Sequence, residues 1–311
     1  MCIRDSHGLA PWTVGVAGRS QTPTRGDARR RARARARESR ESRAGVRARM
    51  RGLARALALA DARAWTRGRA RAGRMASSAR DGDGDGDAKR SMRRAARDAL
   101  RLMTTEAMRA ADAAIAGRLR EMKASANARR VGGYLASERL RECSMATYID
   151  DAAVRGATDD VMVFVPIVDD AGSSSMRMLH VRDVEADATR GAYDLAEPRE
   201  TYADGSRRLD AVRDIAKVGA LDVVVVPGVA FGEDGRRLGR GGGYYDAFLT
   251  RYADEAARVG ATPPLVVALA YGCQVYPPGA VPVDAHDKLV DIIVTETRTI
   301  ACTDRGVAAA S

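Results

Sequence analysis

The chain has 311 residues, with 52 Lys and Arg against 41 Asp and Glu, giving a formal net charge of +11 at pH 7. That length holds one large or two modest domains, and so basic a balance would ordinarily point to nucleic acid or an anionic membrane as partner. The distribution of the charge removes that inference for most of the chain, because residues 1–80 carry 21 Arg, no Lys and 5 acids (+16), which leaves residues 81–311 at −5.

Residues 1–87 read as leader and linker, and residues 1–80 are dominated by low-complexity Arg/Ala sequence such as RARARARESRESRAGVRARM. Three readings compete for them. An Arg-rich, acid-poor N-terminus has the composition of an organelle transit peptide, with Leu53 to Leu59 supplying a short amphipathic turn. The same arginines could form a disordered RNA-binding arm. The third is an upstream region translated from the wrong start, with Met50 or Met75 as the true beginning. The DGDGDGD run from Asp81 to Asp87 lacks the spacing and closing Glu of a calcium loop, and it reads as a solvated spacer.

From Lys89 the pattern turns helical. Met92, Ala96, Leu100 and Met103 recur at helical spacing, and Thr104-Thr105-Glu106 reads as a break with a new cap. Met108, Ala111, Ile115 and Leu119 then line one face of a second helix. Val131 to Ala136 is the first predicted strand, Met145 to Val154 a helix, Val161 to Val168 a core strand, and Met176 to Val184 another. His180 is a lone histidine on that strand and reads as structural. A helix around Leu209 to Val218 follows.

The chain then enters its most informative stretch, LDVVVVPGVAFGEDGRRLGRGGGYYDAFL, ending at Leu249. Four valines, Val223 to Val226, cut off by Pro227-Gly228 predict a strand buried on both faces. A loop rich in Gly and Arg runs from Gly235 to Gly243, and a helix begins near Tyr244 with Phe248, Leu249 and Tyr252 on its apolar face. Strand, glycine loop and helix start form an anion-binding arrangement, because glycines let backbone N–H groups approach a phosphate and the helix N-terminus adds unpaired donors. Arg236, Arg237 and Arg240 add charge, and Asp246 in the first helical turn suits a metal ion bridging phosphates or a favourable acid at a helix start. Neither the dinucleotide fingerprint nor the P-loop is present, so the loop by itself is equally well a tight connection.

Pro264 to Tyr271 is a further buried strand, and Val281 to Thr297 closes the sheet. Cys2, Cys143, Cys273 and Cys302 are far apart with no Cys-x-x-Cys pair, which excludes a disulfide framework and a zinc site. No apolar run approaches the roughly 18 residues that a membrane span needs.

The string Pro227, Gly228, Phe231, Gly235, Arg237, Leu238, Gly239, Gly241, Gly243, Tyr244, Tyr245 and Asp246 resembles the signature of the 5-formyltetrahydrofolate cyclo-ligase (methenyltetrahydrofolate synthetase) family. Val281, Pro282, His286, Asp287, Val290 and Asp291 resemble a second family pattern, and KRSMR from Lys89 to Arg93 resembles its N-terminal one. Ala196-Glu197-Pro198 is similar to a Glu-Pro turn near the family's active site. The resemblance runs from Lys89 to Thr297. It implies an open, mostly parallel Rossmann-like α/β sheet with helices on both faces, occupying residues 88–300 between the disordered leader and a C-terminal tail, 301–311.

The resemblance further implies ATP- and Mg²⁺-dependent closure of 5-formyltetrahydrofolate to 5,10-methenyltetrahydrofolate, with release of ADP and phosphate. Lys89 and Arg93 would reach the nucleotide phosphates, together with Arg237, Leu238, Gly239, Arg240, Gly241, Gly242, Gly243, Tyr244 and Tyr245. Glu142, with Glu138 as runner-up, would grip the folate, along with Phe231, Arg240, Gly241 to Gly243 and Tyr244. By the residues alone, either acid could equally be a solvated loop residue. Asp246 and Asp287 would hold Mg²⁺, while Arg240 and Lys89 would serve catalysis. Gly242 departs from relatives with lysine there, which lowers the loop's charge.

The partners implied are ATP and the folate, with or without a polyglutamate tail, for a mitochondrial monomer that binds neither membrane nor nucleic acid. The plastid, or the cytoplasm if the leader is untranslated, is the alternative location. Two other classes stay open at this point: a non-catalytic folate- or RNA-binding relative, and a sugar-phosphate isomerase or CoA-transferase, for which no catalytic Glu or Lys is identifiable.

Overall fold

The computed structural model describes residues 84–149, 161–169, 175–190 and 195–310. The expectations for residues 1–83, and the second half of the helix expected up to Val154, lie outside these. No helix among the described residues is long and apolar enough to cross a membrane.

Helix α1, Gly84–Arg101, starts inside the Asp/Gly run rather than after it. Asp87 pairs with Arg90 one turn on, and an acid at a helix start is favoured by the dipole. The expected break follows: Thr104 accepts a hydrogen bond from the Ala107 N–H at 3.1 Å and caps helix α2, Thr105–Glu121. Ala111, Ile115 and Leu119 of α2 are buried, as their spacing requires. A short helix α3, Lys123–Asn127, leads into the sheet.

Strands β1 (Arg130–Gly132) and β2 (Met162–Val168) pair in parallel, and β3 (Met176–Val181) runs antiparallel along β2. After helix α4, Val184–Asp187, strands β4 (Ala188–Arg190) and β5 (Ala196–Pro198) form a separate two-stranded ribbon. The helix expected over 209–218 reduces to α5, Ile215–Val218. The Asp210 carboxylate accepts the N–H groups of Val212 and Arg213 at 2.8 and 3.0 Å, a side-chain turn that displaces helical bonding.

Strand β6, Val223–Val226, returns to the far side of β1. Its four valines are essentially inaccessible. Val223 and Val225 enter one core layer with Ile115 and Leu119 of α2. Val224 and Val226 enter the other, with Phe248 and Tyr252. Burial on both faces is what a central parallel strand imposes.

Strands β7 (Ala230–Gly232) and β8 (Arg237–Leu238) turn back as a small hairpin. Helix α6, Tyr244–Arg258, follows, then β9, Leu265–Leu269, and β10, Val275–Tyr276, which pairs with β7. Strand β11, Ile292–Val294, joins β9 in parallel. Beyond Thr297, where the sheet was expected to close, β12, Thr299–Ala301, runs antiparallel to β11, and helix α7, Asp304–Ala310, occupies most of residues 301–311. Asp291 ties these pieces together: it accepts the Val266 N–H at 2.9 Å and the Thr303 hydroxyl at 2.6 Å.

The main sheet thus has the order β12-β11-β9-β6-β1-β2-β3. The chain builds outward from β1 through β2 and β3, then returns to build outward from β6 in the other direction. The strand order reverses between β1 and β6, and ligands of open α/β sheets bind outside the carboxyl ends of strands at such a reversal.

Candidate active site

A cavity of ≈ 610 Å³ opens at that reversal. Tyr134 and Leu135, just after β1, and Pro227 and Gly228, just after β6, form its floor. The first strand ends earlier than expected because the chain folds onto Cys143 to Met145, with the Tyr134 hydroxyl donating to the Cys143 carbonyl at 2.5 Å. That fold brings Glu142 to the cavity wall, whereas Glu138 does not line it.

The glycine loop forms one side. Gly241 and Gly243 have φ of +113° and +69°, in the left-handed region where a side chain would be strained. Gly243 precedes the first turn of α6, whose leading N–H groups have no intrahelical acceptors. At Gly242 a Cβ would lie 2.5 Å from the Tyr244 ring, so the aromatic ring occupies the space that a side chain there would need.

Four of the cations named from the sequence line the cavity with this loop. Arg93 Nε donates to the Gly239 carbonyl at 2.9 Å. Met92 and Ala96 pack under β7 and β8 with Leu238, and this fixes the face of α1 that carries Lys89 and Arg93. Arg237 is buried and donates to Asp246 Oδ1 at 2.9 Å. Arg240 Nε meets Glu142 Oε1 at 3.0 Å, and its Nη2 donates to the Leu140 carbonyl at 2.7 Å. Lys89 Nζ lies 2.6 Å from Oδ2 of both Asp284 and Asp287.

The charges of this group are mutually reinforced. Burial works against the Lys89 ammonium, but hydrogen bonds to the two aspartates outweigh it and raise its pKa above the ordinary value. Burial likewise works against the Asp287 carboxylate, and its bonds to Lys89 and the Asp284 N–H prevail and lower its pKa. Arg93 is shifted down, chiefly by burial and by neighbouring Arg97. The Tyr245 phenol is pushed up by burial and the nearby Glu142 carboxylate, so it stays protonated.

Among the described residues no group of three or more His, Cys, Asp or Glu is arranged to hold a metal ion. Asp246 and Asp287 nonetheless both line the cavity. The Lys288 N–H donates to Asp246 Oδ1 at 2.9 Å, so the peptide following Asp287 is hydrogen-bonded to the other carboxylate. Two carboxylates beside a glycine loop and a helix N-terminus have the chemistry that Mg²⁺ takes, one or two protein carboxylates with the remaining positions left to waters and other oxygens.

Phe231 is the candidate that the structure moves. It is fully buried in the core and does not reach the cavity wall. Its ring lies beneath Gly228, where a Cβ would come within 2.5 Å of it, so Phe231 supports the floor from the core side. Its place between Ala230 and Gly232 on a three-residue buried strand explains this.

Asp284, His286, Arg139 and the apolar residues Leu140, Pro166, Val168 and Met176 line the cavity without having been named as site residues from the sequence. For Asp284 a signal existed: it lies one turn before Asp287, and the Asp287 N–H donates to its carbonyl at 3.1 Å. Ala196 and Glu197 of β5 also line the wall, as the Glu-Pro resemblance implied.

Residues 85–296 match the sequence profile of the 5-formyltetrahydrofolate cyclo-ligase family. The chain belongs to that family. The mitochondrial 5-formyltetrahydrofolate cyclo-ligase of Arabidopsis thaliana is 33% identical over 218 residues, which cover 70% of this chain and 77% of the relative. The Saccharomyces cerevisiae cyclo-ligase is 40% identical over 124 residues, covering 39% and 47%. The NMR structure of Aquifex aeolicus 5,10-methenyltetrahydrofolate synthetase superposes with a TM-score of 0.52 at 23% identity, over 71% of this chain and 94% of that one. This last likeness supports the fold. Cyclo-ligase membership makes the chain a folate-directed ligase and removes the isomerase and CoA-transferase readings.

Proposed function

We propose that the cavity binds ATP and 5-formyltetrahydrofolate together and closes the folate to its 5,10-methenyl form, releasing ADP and phosphate. The observation that carries this reading is the meeting of Lys89, Arg93, Arg237 and Arg240 with Asp246 and Asp287 on the wall of one cavity at the sheet reversal, beside an apolar recess.

The chemical problem is that a formamide oxygen leaves poorly. Transfer of the γ-phosphoryl group to that oxygen gives an imino-phosphate. N10 then attacks the formyl carbon, the carbon–oxygen bond breaks, phosphate departs and N10 loses its proton. Phosphoryl transfer needs little covalent help from a protein; it needs positioning and cations where charge develops. The α6 N-terminus and the backbone of Gly239 to Gly243 hold the phosphates, with Lys89, Arg93 and Arg237 alongside. Arg240 stands at the moving phosphoryl group, and Glu142 holds the folate within reach of it. Tyr134, Leu135, Pro166 and Met176 offer a dry surface for the pterin. Mg²⁺ held by Asp246 and Asp287 would neutralise phosphate charge and orient the oxygens.

The test is an absorbance assay of methenyl product with 5-formyltetrahydrofolate. Formation that requires both ATP and Mg²⁺ supports the reading. No product under any combination refutes it. We also propose that residues 1–80 direct the protein to mitochondria, by their Arg-rich, acid-poor composition and the mitochondrial relative. A fluorescent fusion of residues 1–80 that stays in the cytosol would rule that out.

A further inference from the structure

We infer that Asp112, which lies outside the cavity, is a positioning residue that sets Glu142 for the folate through one carboxylate oxygen shared with Tyr271. The inference rests on the reading of Glu142 as the residue that holds the folate. Asp112 stands on α2 about one turn before Ile115 and two before Leu119, on the face that enters the core. An acid there costs free energy unless its oxygens are bonded. Its Oδ1 accepts two bonds, from the Ser144 N–H at 3.0 Å and from the Tyr271 hydroxyl at 2.8 Å. The Cys143 thiol bonds the same carboxylate.

Cys143 and Ser144 are the two residues directly after Glu142, and the Tyr271 oxygen lies 3.4 Å from the Glu142 carbonyl oxygen itself. Tyr271 follows β9 and is fully buried, and its main-chain N–H donates to Gln274 at 2.9 Å. Helix α2, the segment after β1 and the segment after β9 therefore meet behind Glu142. Neither Asp112 nor Tyr271 lines the cavity, so neither touches a ligand bound there.

The Glu142 carboxylate is held at its far end by the Ser137 N–H at 3.1 Å and Arg240 Nε at 3.0 Å. The Arg240 bond is given up when that side chain turns to the phosphoryl group. The main-chain support then keeps the carboxylate in place. What Asp112 supplies is an acceptor oxygen, not a charge: burial raises the pKa of its carboxyl despite the hydrogen bonds it accepts. Asp112→Asn keeps an oxygen for both donors. Asp112→Ala removes it from the Ser144 N–H and the Tyr271 hydroxyl together.

The experiment is steady-state kinetics of the full chain with each substrate varied in turn, for Asp112→Ala, Asp112→Asn, Tyr271→Phe and Glu142→Ala, and for the doubles with Glu142→Ala. Asp112→Ala should raise KM for 5-formyltetrahydrofolate about tenfold, as displacement of a binding group does, with KM for ATP within about twofold of wild type. Tyr271→Phe should act in the same direction by about threefold, and Asp112→Asn should stay within about twofold of wild type. In the Glu142→Ala background Asp112→Ala should add less than about twofold, because no carboxylate is left to place. Tyr271→Phe carries the same cycle if Asp112→Ala does not fold. A full effect that persists without Glu142, a rise in both KM values together, or an Asn variant as impaired as Ala overturns the inference. An unchanged folate KM in Glu142→Ala alone instead overturns the reading of Glu142 beneath it.

Discussion

Arg240 and Glu142 hold each other, Nε to Oε1, at 3.0 Å, so the glycine loop is latched to the segment that follows β1. Both line the cavity, and Arg240 must exchange this partner for the moving phosphoryl group to act there. Arg240→Ala should lower kcat about 100-fold, a loss of roughly 2.7 kcal/mol in the transition state, with a smaller change in ATP affinity. Arg236 pairs with Asp234 off the cavity wall, and its alanine variant should stay within about threefold of wild type. Steady-state kinetics with ATP titrations check both. Weakened ATP binding with unchanged kcat would make Arg240 a docking residue.

The two aspartates proposed for Mg²⁺ differ in what their loss leaves behind. Asp246→Asn strips the counter-charge from Arg237, whose side chain is only 3% exposed. Breaking such a pair typically costs about 3 kcal/mol or more, which for a domain of this size lowers Tm by about 6 °C or more. Asp287→Asn leaves Lys89 with Asp284 and should keep Tm within about 2 °C while shifting the Mg²⁺ dependence upward. Thermal denaturation beside Mg²⁺ titration of the rate separates the two. Equal Tm losses would contradict the assignment.

His180 predicts a pH dependence of stability. Burial first, then the charges of Arg182 and Arg208, lower its pKa to about 4. Its Nδ1 lies 2.6 Å from the Tyr202 hydroxyl, and both arginines lie against the Tyr202 ring. The unfolded chain takes up this proton near pH 6.5, before the folded one does. The contribution is therefore full above pH 6.5 and is lost as pH falls through about 4, on the order of 3 kcal/mol. Denaturant unfolding at pH 7, 5.5 and 4.5 should show a falling stability that His180→Gln flattens. An unchanged slope in the variant would exclude His180 as its source.

Gly235 and Gly279 both have positive φ, at +86° and +75°, but different surroundings. A Cβ at Gly235 would lie 2.6 Å from the Val290 carbonyl oxygen, whereas at Gly279 nothing lies within 4 Å. Gly279→Ala should cost about 1 kcal/mol, the conformational penalty alone. Gly235→Ala should cost at least about twice that, because main chain cannot swing aside. Equal costs in denaturant unfolding would show that the β7–β8 turn yields easily.

What the sequence displayed and what it concealed follow from the range of the interactions involved. Val223 to Val226 announced a doubly buried strand because four β-branched residues before Pro-Gly have few other uses, and Thr104 announced its cap because capping is local. Phe231, expected at the folate from the resemblance and its aromatic surface, lies in the core instead, because an aromatic ring beside a glycine loop serves a buried floor as well as an open wall. The strand at Thr299–Ala301 was missed because it is short, half-exposed and defined by its pairing with β11. Asp284 was passed over because its importance comes from Lys89, 195 residues earlier. Contacts of that separation leave no local pattern, and they are what assembles the site.

On the proposed route the formyl oxygen is activated by phosphorylation and leaves as phosphate. That route is tested most directly by turnover of 5-formyltetrahydrofolate carrying ¹⁸O in the formyl group, with mass analysis of the inorganic phosphate released. Each phosphate should carry one ¹⁸O and form one-to-one with methenyl product. Unlabelled phosphate, with the ¹⁸O appearing in water, would contradict it.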